Sequence, residues 1–377
     1  MKKLKISRNQ FYKILFLLTY WLAAVVFYVF LEMAIEDYTA SVYGNYKVNY
    51  NYNLARILII AISAVVMGGS FLASFEVLFL NKLFRKKPLG MVLISKALFY
   101  SLSIFILTSI ATYISLSFIL DKTIFHIVVL DRFLDYLRSP KLWVVMLYWS
   151  FAVMSGLFVV HISEKLGQGV LVNYLLGRYH NPKEENRLFM FLDLISSTAY
   201  AERLGHKKYS RLIQDCYYDL TAVVLKYDAQ IYQYVGDEVV LTWEKERGIT
   251  NNNCIKAFFE FEHIIKAKDS YYKEKYGFVP EFKAGLNYGL VTVTEVGEMK
   301  KELAYHGDAI NIAARIRSSC CSFNKKLLVS ADLLSLLEEI DNEFIIEFMG
   351  VCQLKGKKNA VGVLSIEEKN QHYLFES

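Results

Sequence analysis

Two aspartates stand where carboxylates can act on a charged substrate. Asp193 closes the apolar run Leu188 to Leu192, which fits a buried strand, and Ser196, Ser197 and Thr198 behind it open a helix. Asp237 lies in Val235, Gly236, Asp237, Glu238, a tight turn between the strand-like runs Ile231 to Tyr234 and Val239 to Trp243. Alone, the first reads equally as a helix N-cap and the second as a turn residue. Converging beside helix N-terminal amides, the two carboxylates would make a site for divalent metals and a polyphosphate. The cysteines Cys216, Cys254, Cys320, Cys321 and Cys352 show no C-x-x-C spacing that would suggest zinc, and read as reduced thiols.

The elements that must bring the aspartates together follow from periodicity. Tyr209, Leu212, Ile213, Cys216, Leu220, Val223, Val224 and Tyr227 recur at three or four residues, the stripe of a packed helix. A second helix covers about Cys254 to Lys275, and strands follow around Phe282 to Leu286 and Leu290 to Val296. The order β-α-β-β-α-β is that of a ferredoxin-like α+β sandwich, in which the first strand and the hairpin are central neighbours.

A third segment makes the pattern specific. Gly307, Asp308, Ala309, Ile310, Asn311, Ile312, Ala313, Ala314, Arg315 resembles the G-D-x-x-N-x-A-A-R signature of class III nucleotidyl cyclases. The rest fits in order: Phe191, Leu192, Asp193 with the following Ser and Thr; Val235, Gly236, Asp237; Lys283, Ala284, Gly285 and Gly289 for an arginine-x-glycine strand; and Lys355, Gly356, Lys357 for a C-terminal lysine loop. The similarity spans roughly Arg187 to Ile366.

The resemblance implies that Asp193 and Asp237, with the backbone at Leu194, hold two Mg2+ or Mn2+ ions per active site. Backbone amides from Leu194 to Ser197, and the neighbouring Thr198, would cradle the triphosphate. Asn311 would orient the ribose, Arg315 would meet charge developing on the α-phosphate, and Lys355 would grip the terminal phosphates. It further implies a homodimer, with aspartates from one subunit and asparagine, arginine and lysine from the other.

Gln233 and Ala304 stand at the two purine-reading positions. They match neither the lysine with aspartate or threonine usual in adenylyl cyclases nor the glutamate and cysteine of guanylyl cyclases, so ATP and GTP both stay open, with ATP favoured because that glutamate is missing. Lys283 in place of arginine reads as structural. The hairpin Tyr234 to Val239 also resembles that of diguanylate cyclases, a family without the asparagine-to-arginine helix. A non-enzymatic membrane receptor with a dimerising cyclase-like domain is a further alternative.

The remainder of the chain is of another kind. With 54% hydrophobic residues, 15% aromatics and a mean hydropathy of +0.27 over 377 residues, part of it must lie in lipid, while 21% charged residues leave room for one soluble domain. Ile14 to Leu31, Ile57 to Phe75, Ala97 to Leu120 and Leu142 to Val160 are each near or above the roughly 18 residues that span a bilayer. Lys2, Lys3, Lys5 and Arg8 precede the first span, and Lys82, Arg85, Lys86 and Lys87 follow the second. The positive-inside rule therefore predicts an integral protein of the cell (inner) membrane with both termini cytoplasmic.

The net charge of +6 is thereby read as topological, with no nucleic-acid partner. Asp121 to Lys141 could form an interfacial amphipathic helix, and Glu76 and Lys96 are expected near span ends, reaching the interface. The chain thus divides into a membrane domain over 1–160, a linker or signalling helix over 161–186 and a catalytic domain over 187–377. The upstream signal is unknown.

Overall fold

The computed structural model describes residues 8–43, 54–80, 83–84, 87–166, 170–299, 301–352 and 360–369. The chain forms two compact units, Met1–Lys165 and Leu166–Ser377. In the first unit, the helices are α1 (Arg8–Tyr43), α2 (54–80), α3 (Leu89–Ile119), α4 (Ile127–Arg138) and α5 (Pro140–Leu166). Among the described residues, four helical segments are long and apolar enough to cross a membrane: Gln10–Thr39, Ile57–Leu80, Gly90–Ile119 and Pro140–Glu164. Leu17 and Trp21 of α1, Leu72 and Ala73 of α2, Tyr100 and Ile104 of α3 and Val153 and Val160 of α5 are buried together. The expected amphipathic helix is α4, whose first turn is capped by His126 Nδ1 accepting from the Val128 amide at 3.2 Å.

One expectation for this unit needs correction. Glu76 does not reach the interface; it is 2% exposed, ion-paired with Lys96, and accepts a hydrogen bond from the Tyr100 hydroxyl at 2.7 Å. A charge this deeply buried persists only when paired, and Lys96 and Tyr100, both on α3, supply that pairing. Glu76 opens a π-helical turn, Glu76–Leu80, the second in α2 after Val65–Gly69.

The second unit begins with the short helix α6 (Val170–Leu175) and is built on one sheet. Its strands are β1 (Lys183–Leu194), β2 (Gln230–Val235), β3 (Glu238–Glu244), β4 (Phe282–Val296), β5 (Glu302–His306), β6 (Leu327–Ser330), β7 (Phe344–Cys352) and β8 (Val361–Glu368). They run in the order β2-β3-β1-β4-β6-β8-β7, with β5 paired to β4. The first four make the ferredoxin-like core predicted from sequence, and β1 lies between β3 and β4.

One sheet face packs on α7 (Ser197–Lys226) and α8 (Asn253–Ala267) through Leu212, Cys216, Leu220, Phe258 and Phe261 against Met190, Leu192 and Leu241. The predicted second helix ends earlier than expected: α8 stops at Ala267, and α9 (Asp269–Tyr276) follows after Lys268 leaves helical geometry at φ −104°. Cys216 and Cys254 are buried free thiols, each pushed up to about 12 by burial, which disfavours the reactive thiolate.

The two strands expected over 282–296 are one, β4. Its polar centre stays in the sheet because β1 pairs along its length and Asn287 Nδ2 donates to the Ala309 carbonyl at 3.0 Å. That carbonyl belongs to α10 (Asp308–Phe323), which lies across β4. Gly285 permits the approach: a Cβ there would sit 2.1 Å from the Arg317 amide nitrogen and 2.6 Å from its Cα. No side chain fits against backbone at that distance, so glycine fixes how closely α10 rides on the sheet.

Candidate active site

The two aspartates meet through the sheet. Asp193, the penultimate residue of β1, pairs with Glu238 of β3 on one side and Lys283 of β4 on the other. Asp237 directly precedes Glu238 in the β2–β3 turn, and its carbonyl accepts from the Leu194 amide at 3.4 Å. Gly236 takes φ +62°, the left-handed conformation this turn needs, and its carbonyl accepts from the Tyr217 hydroxyl at 3.3 Å. Asp193, Leu194 and Asp237 therefore converge at one end of the central strands. Ser196 at φ +58° turns the chain into α7, so Ser197 and Thr198 form that helix's N-terminus beside the carboxylates.

Three carboxylates, those of Asp193, Asp237 and Glu238, crowd this point. Burial raises the Glu238 carboxyl above its ordinary range, Arg317 pulls it down, and Asp193 and Asp237 push it up again. Burial also raises the Tyr209 hydroxyl, with Asp237 and then Asp193 adding to the shift and a hydrogen bond with Ser197 opposing it. Tyr209 packs against the hydrophobic core, as its place in the apolar helical stripe predicts, yet lies near enough to the carboxylates to feel their charge.

Two cations answer the carboxylates. Arg317 Nη1 donates to Asp193 Oδ2 at 3.1 Å, and Arg317 Nη2 lies 2.6 Å from Glu238 Oε2. Lys283 Nζ is 3.4 Å from the same Asp193 oxygen and donates to Cys321 Sγ at 3.2 Å. Burial lowers the Lys283 ammonium, but Cys321 and Asp193 outweigh it and the net shift is upward. Lys283 is therefore at the site's edge.

The donor set fits Mg2+ or Mn2+. Carboxylates and a backbone carbonyl are hard oxygen ligands, and the nearby Cys321 thiol contacts Lys283. Among the described residues no group of three or more His, Cys, Asp or Glu is arranged to hold a metal alone. That suits ions held by one or two carboxylates and completed by substrate phosphates and water.

Asn311 and Arg315 are elsewhere on the same helix. One turn apart on α10, both are exposed, whereas Arg317, two residues on, reaches Asp193. Arg315 lies two residues before Arg317 and Asn311 six, about 200° and about 120° around the helix from it, so neither is on the line of α10 that meets this chain's own carboxylates.

Gln233 is exposed on β2, and Ala304 lies on β5. Their neighbours Tyr232 and Tyr305 meet edge to face with ring centroids 4.8 Å apart. Arg187 braces that contact: it lies over the Tyr305 ring at 5.2 Å, donates to Gln230 Oε1 at 2.9 Å, and forks onto Glu185 Oε2 at 3.0 Å from Nε and Nη2. Lys355 lies outside the described residues, within 353–359.

Comparison with known proteins places these residues in context. The family model described as "Adenylate and Guanylate cyclase catalytic domain" matches residues 180–374. "Adenylate cyclase 2" of Rhizobium meliloti (strain 1021) is 35% identical over 211 residues, 56% of this chain and 58% of that protein. "Adenylate cyclase 1" of the same organism is 24% identical over 186 residues, 47% of this chain and 27% of the relative. The chain thus spans well under two thirds of either curated relative. Among solved structures, a bacterial light-regulated adenylyl cyclase matches with a TM-score of 0.49 at 18% identity, over 59% of this chain and 65% of that one. The adenylyl cyclase CyaB from P. aeruginosa matches with a TM-score of 0.43 at 18% identity, over 51% and 98%.

Proposed function

Because the chain belongs to the adenylate and guanylate cyclase catalytic-domain family, we propose that it is a membrane-anchored cyclase that converts ATP to 3',5'-cyclic AMP and pyrophosphate at sites shared by two copies. The observation that carries this reading is the convergence of Asp193, Asp237 and the N-terminus of α7 at one end of the central strands, on the same unit as an exposed Asn311 and Arg315. Two bound Mg2+ or Mn2+ ions would lower the pKa of the ribose 3'-hydroxyl and neutralise charge on the phosphates.

Each of the chain's own groups has a task. Asp193 and Asp237, with the Leu194 carbonyl, hold the ions. The amides of 194–197, with Ser197 and Thr198, receive the phosphates at the positive end of α7. Asn311 orients the ribose and Arg315 meets charge developing at the α-phosphate, while Lys355 grips the terminal phosphates. Helix geometry supports a homodimer, since Asn311 and Arg315 lie off the line of α10 that meets their own carboxylates and would serve those of a second copy.

The four apolar helices support insertion in a membrane, and the basic residues before the first and after the second favour cytoplasmic termini and the cell's inner membrane. Reporters fused after Ser377 and within 44–53 should score on opposite sides. The same side for both would contradict four spans.

Purine choice tests the substrate. Purified full-length chain offered equal ATP and GTP should make cyclic AMP in excess. Gln233→Glu should move the product ratio toward cyclic GMP by about tenfold, because a carboxylate accepts from guanine N1-H and N2-H but repels the adenine N1 acceptor. Cyclic GMP as the main wild-type product would reassign the substrate, and an unmoved ratio in the variant would place base reading outside Gln233.

A further inference from the structure

Glu238 is an anomaly at the carboxylate cluster. It directly follows Asp237, pairs with Asp193 across the β1–β3 ladder, and keeps only 13% of its side chain exposed. A third carboxylate beside two metal-holding ones is itself a ligand for divalent cations unless its charge is answered within the protein.

Arg317 answers it. Its planar fork reaches both acids at once, Nη2 on Glu238 Oε2 at 2.6 Å and Nη1 on Asp193 Oδ2 at 3.1 Å. The reach is possible because Gly285 lets the backbone of α10 settle onto β4 at Arg317 itself. Lys283 takes the same Asp193 oxygen at 3.4 Å, so both cations gather on Oδ2.

We propose that Arg317 is a positioning residue that sequesters Glu238, keeping this third carboxylate out of the metal site so that Asp193 and Asp237 present their oxygens to the ions without it. This assignment rests on the two-metal cyclase reading. When a metal binds, Arg317 would stay on Glu238, while Lys283 remains on Asp193 Oδ2 with or without it. Without Arg317, Glu238 is a buried charge with no fixed counter-ion, and it recruits a divalent cation instead.

The test is nucleotide-free Mn2+ binding to the full-length chain in detergent, read from the electron paramagnetic resonance signal of free Mn2+, with thermal unfolding alongside. Arg317→Gln should bind Mn2+ roughly three- to tenfold more tightly than wild type, since a cation is lost and a carboxylate released, while its turnover falls about tenfold. The charge-balanced double variant Arg317→Gln/Glu238→Gln should return to within about twofold of wild-type Mn2+ affinity and regain most turnover. A residue that served only to stabilise the fold would not tighten metal binding when removed.

Unchanged or weaker Mn2+ binding in Arg317→Gln, or a double variant as defective as the single one, overturns the assignment. If Arg317→Gln does not fold, the double variant carries the test: folded with wild-type Mn2+ affinity is the expected result, and failure to fold is the contrary one. Loss of Mn2+ binding in Asp193→Asn checks the underlying metal site. A wild-type chain with no Asp193-dependent binding overturns the metal reading and this assignment together, whereas Asp193-dependent binding that Arg317→Gln leaves unchanged overturns this assignment alone.

Discussion

Asp193→Asn and Asp237→Asn chains should each turn over ATP about a hundred- to a thousandfold more slowly than wild type, the scale seen when one group that stabilises transition-state charge is removed. Asparagine keeps the shape of aspartate and removes the charge, so the loss reports metal binding rather than packing. For Asp237, in the β2–β3 turn, unfolding temperature should stay within a few degrees of wild type. Asp193 is 8% exposed and held by Arg317 and Lys283, so its variant also leaves two cations less well answered and should unfold somewhat earlier. Initial rates over a range of Mg2+ and Mn2+ concentrations, with thermal unfolding as the control, check both. A variant that keeps full activity removes that residue from the mechanism.

The second large effect concerns the shared site. Asp237→Ala and Arg315→Ala chains should each be nearly inactive alone. Co-expressed with two different tags and purified through both, they should regain roughly half of wild-type activity per dimer. In such a mixed dimer one site carries both defects and the other neither. The expectation follows from the helix: Arg315 is exposed, and Arg317, about 200° around α10, is the arginine that meets the chain's own Asp193. Mixed dimers that co-purify yet stay as inactive as either parent would place all the catalytic groups within one copy.

Much of this site was legible because its residues sit at places where local chemistry and topology coincide. Asp193 ends an apolar strand and Asp237 follows the glycine of a turn, and the β-α-β-β-α-β order brings those two points together. Asn311 and Arg315 were singled out only by the resemblance of Gly307 to Arg315 to the cyclase signature. Arg317 was not: two residues past the motif, an arginine on an amphipathic helix reads as a solvated face. The signal that points to it is Glu238, a charged residue in a strand that pairs with the central β1 and therefore needs an answering cation.

Glu76 and Lys96 were misplaced for a related reason. Each lies near a span end and reads singly as a side chain that snorkels to the interface. Their opposite charges on consecutive spans were the evidence for a buried pair. β4 read as two strands because Asn287 and Gly289 interrupt its apolar pattern. Both serve α10, Asn287 through the Ala309 carbonyl and Gly289 by admitting the Ala309 side chain, so a tertiary contact decided what local propensity could not.

The most direct measurement is product identity and stoichiometry. Purified full-length chain incubated with ATP and Mn2+ should yield 3',5'-cyclic AMP, identified by mass and by its resistance to phosphatases that act on monoesters, with one pyrophosphate released for each cyclic nucleotide formed. Release of ADP and phosphate, a dinucleotide product, or no turnover in a folded, dimeric preparation would contradict cyclisation of ATP.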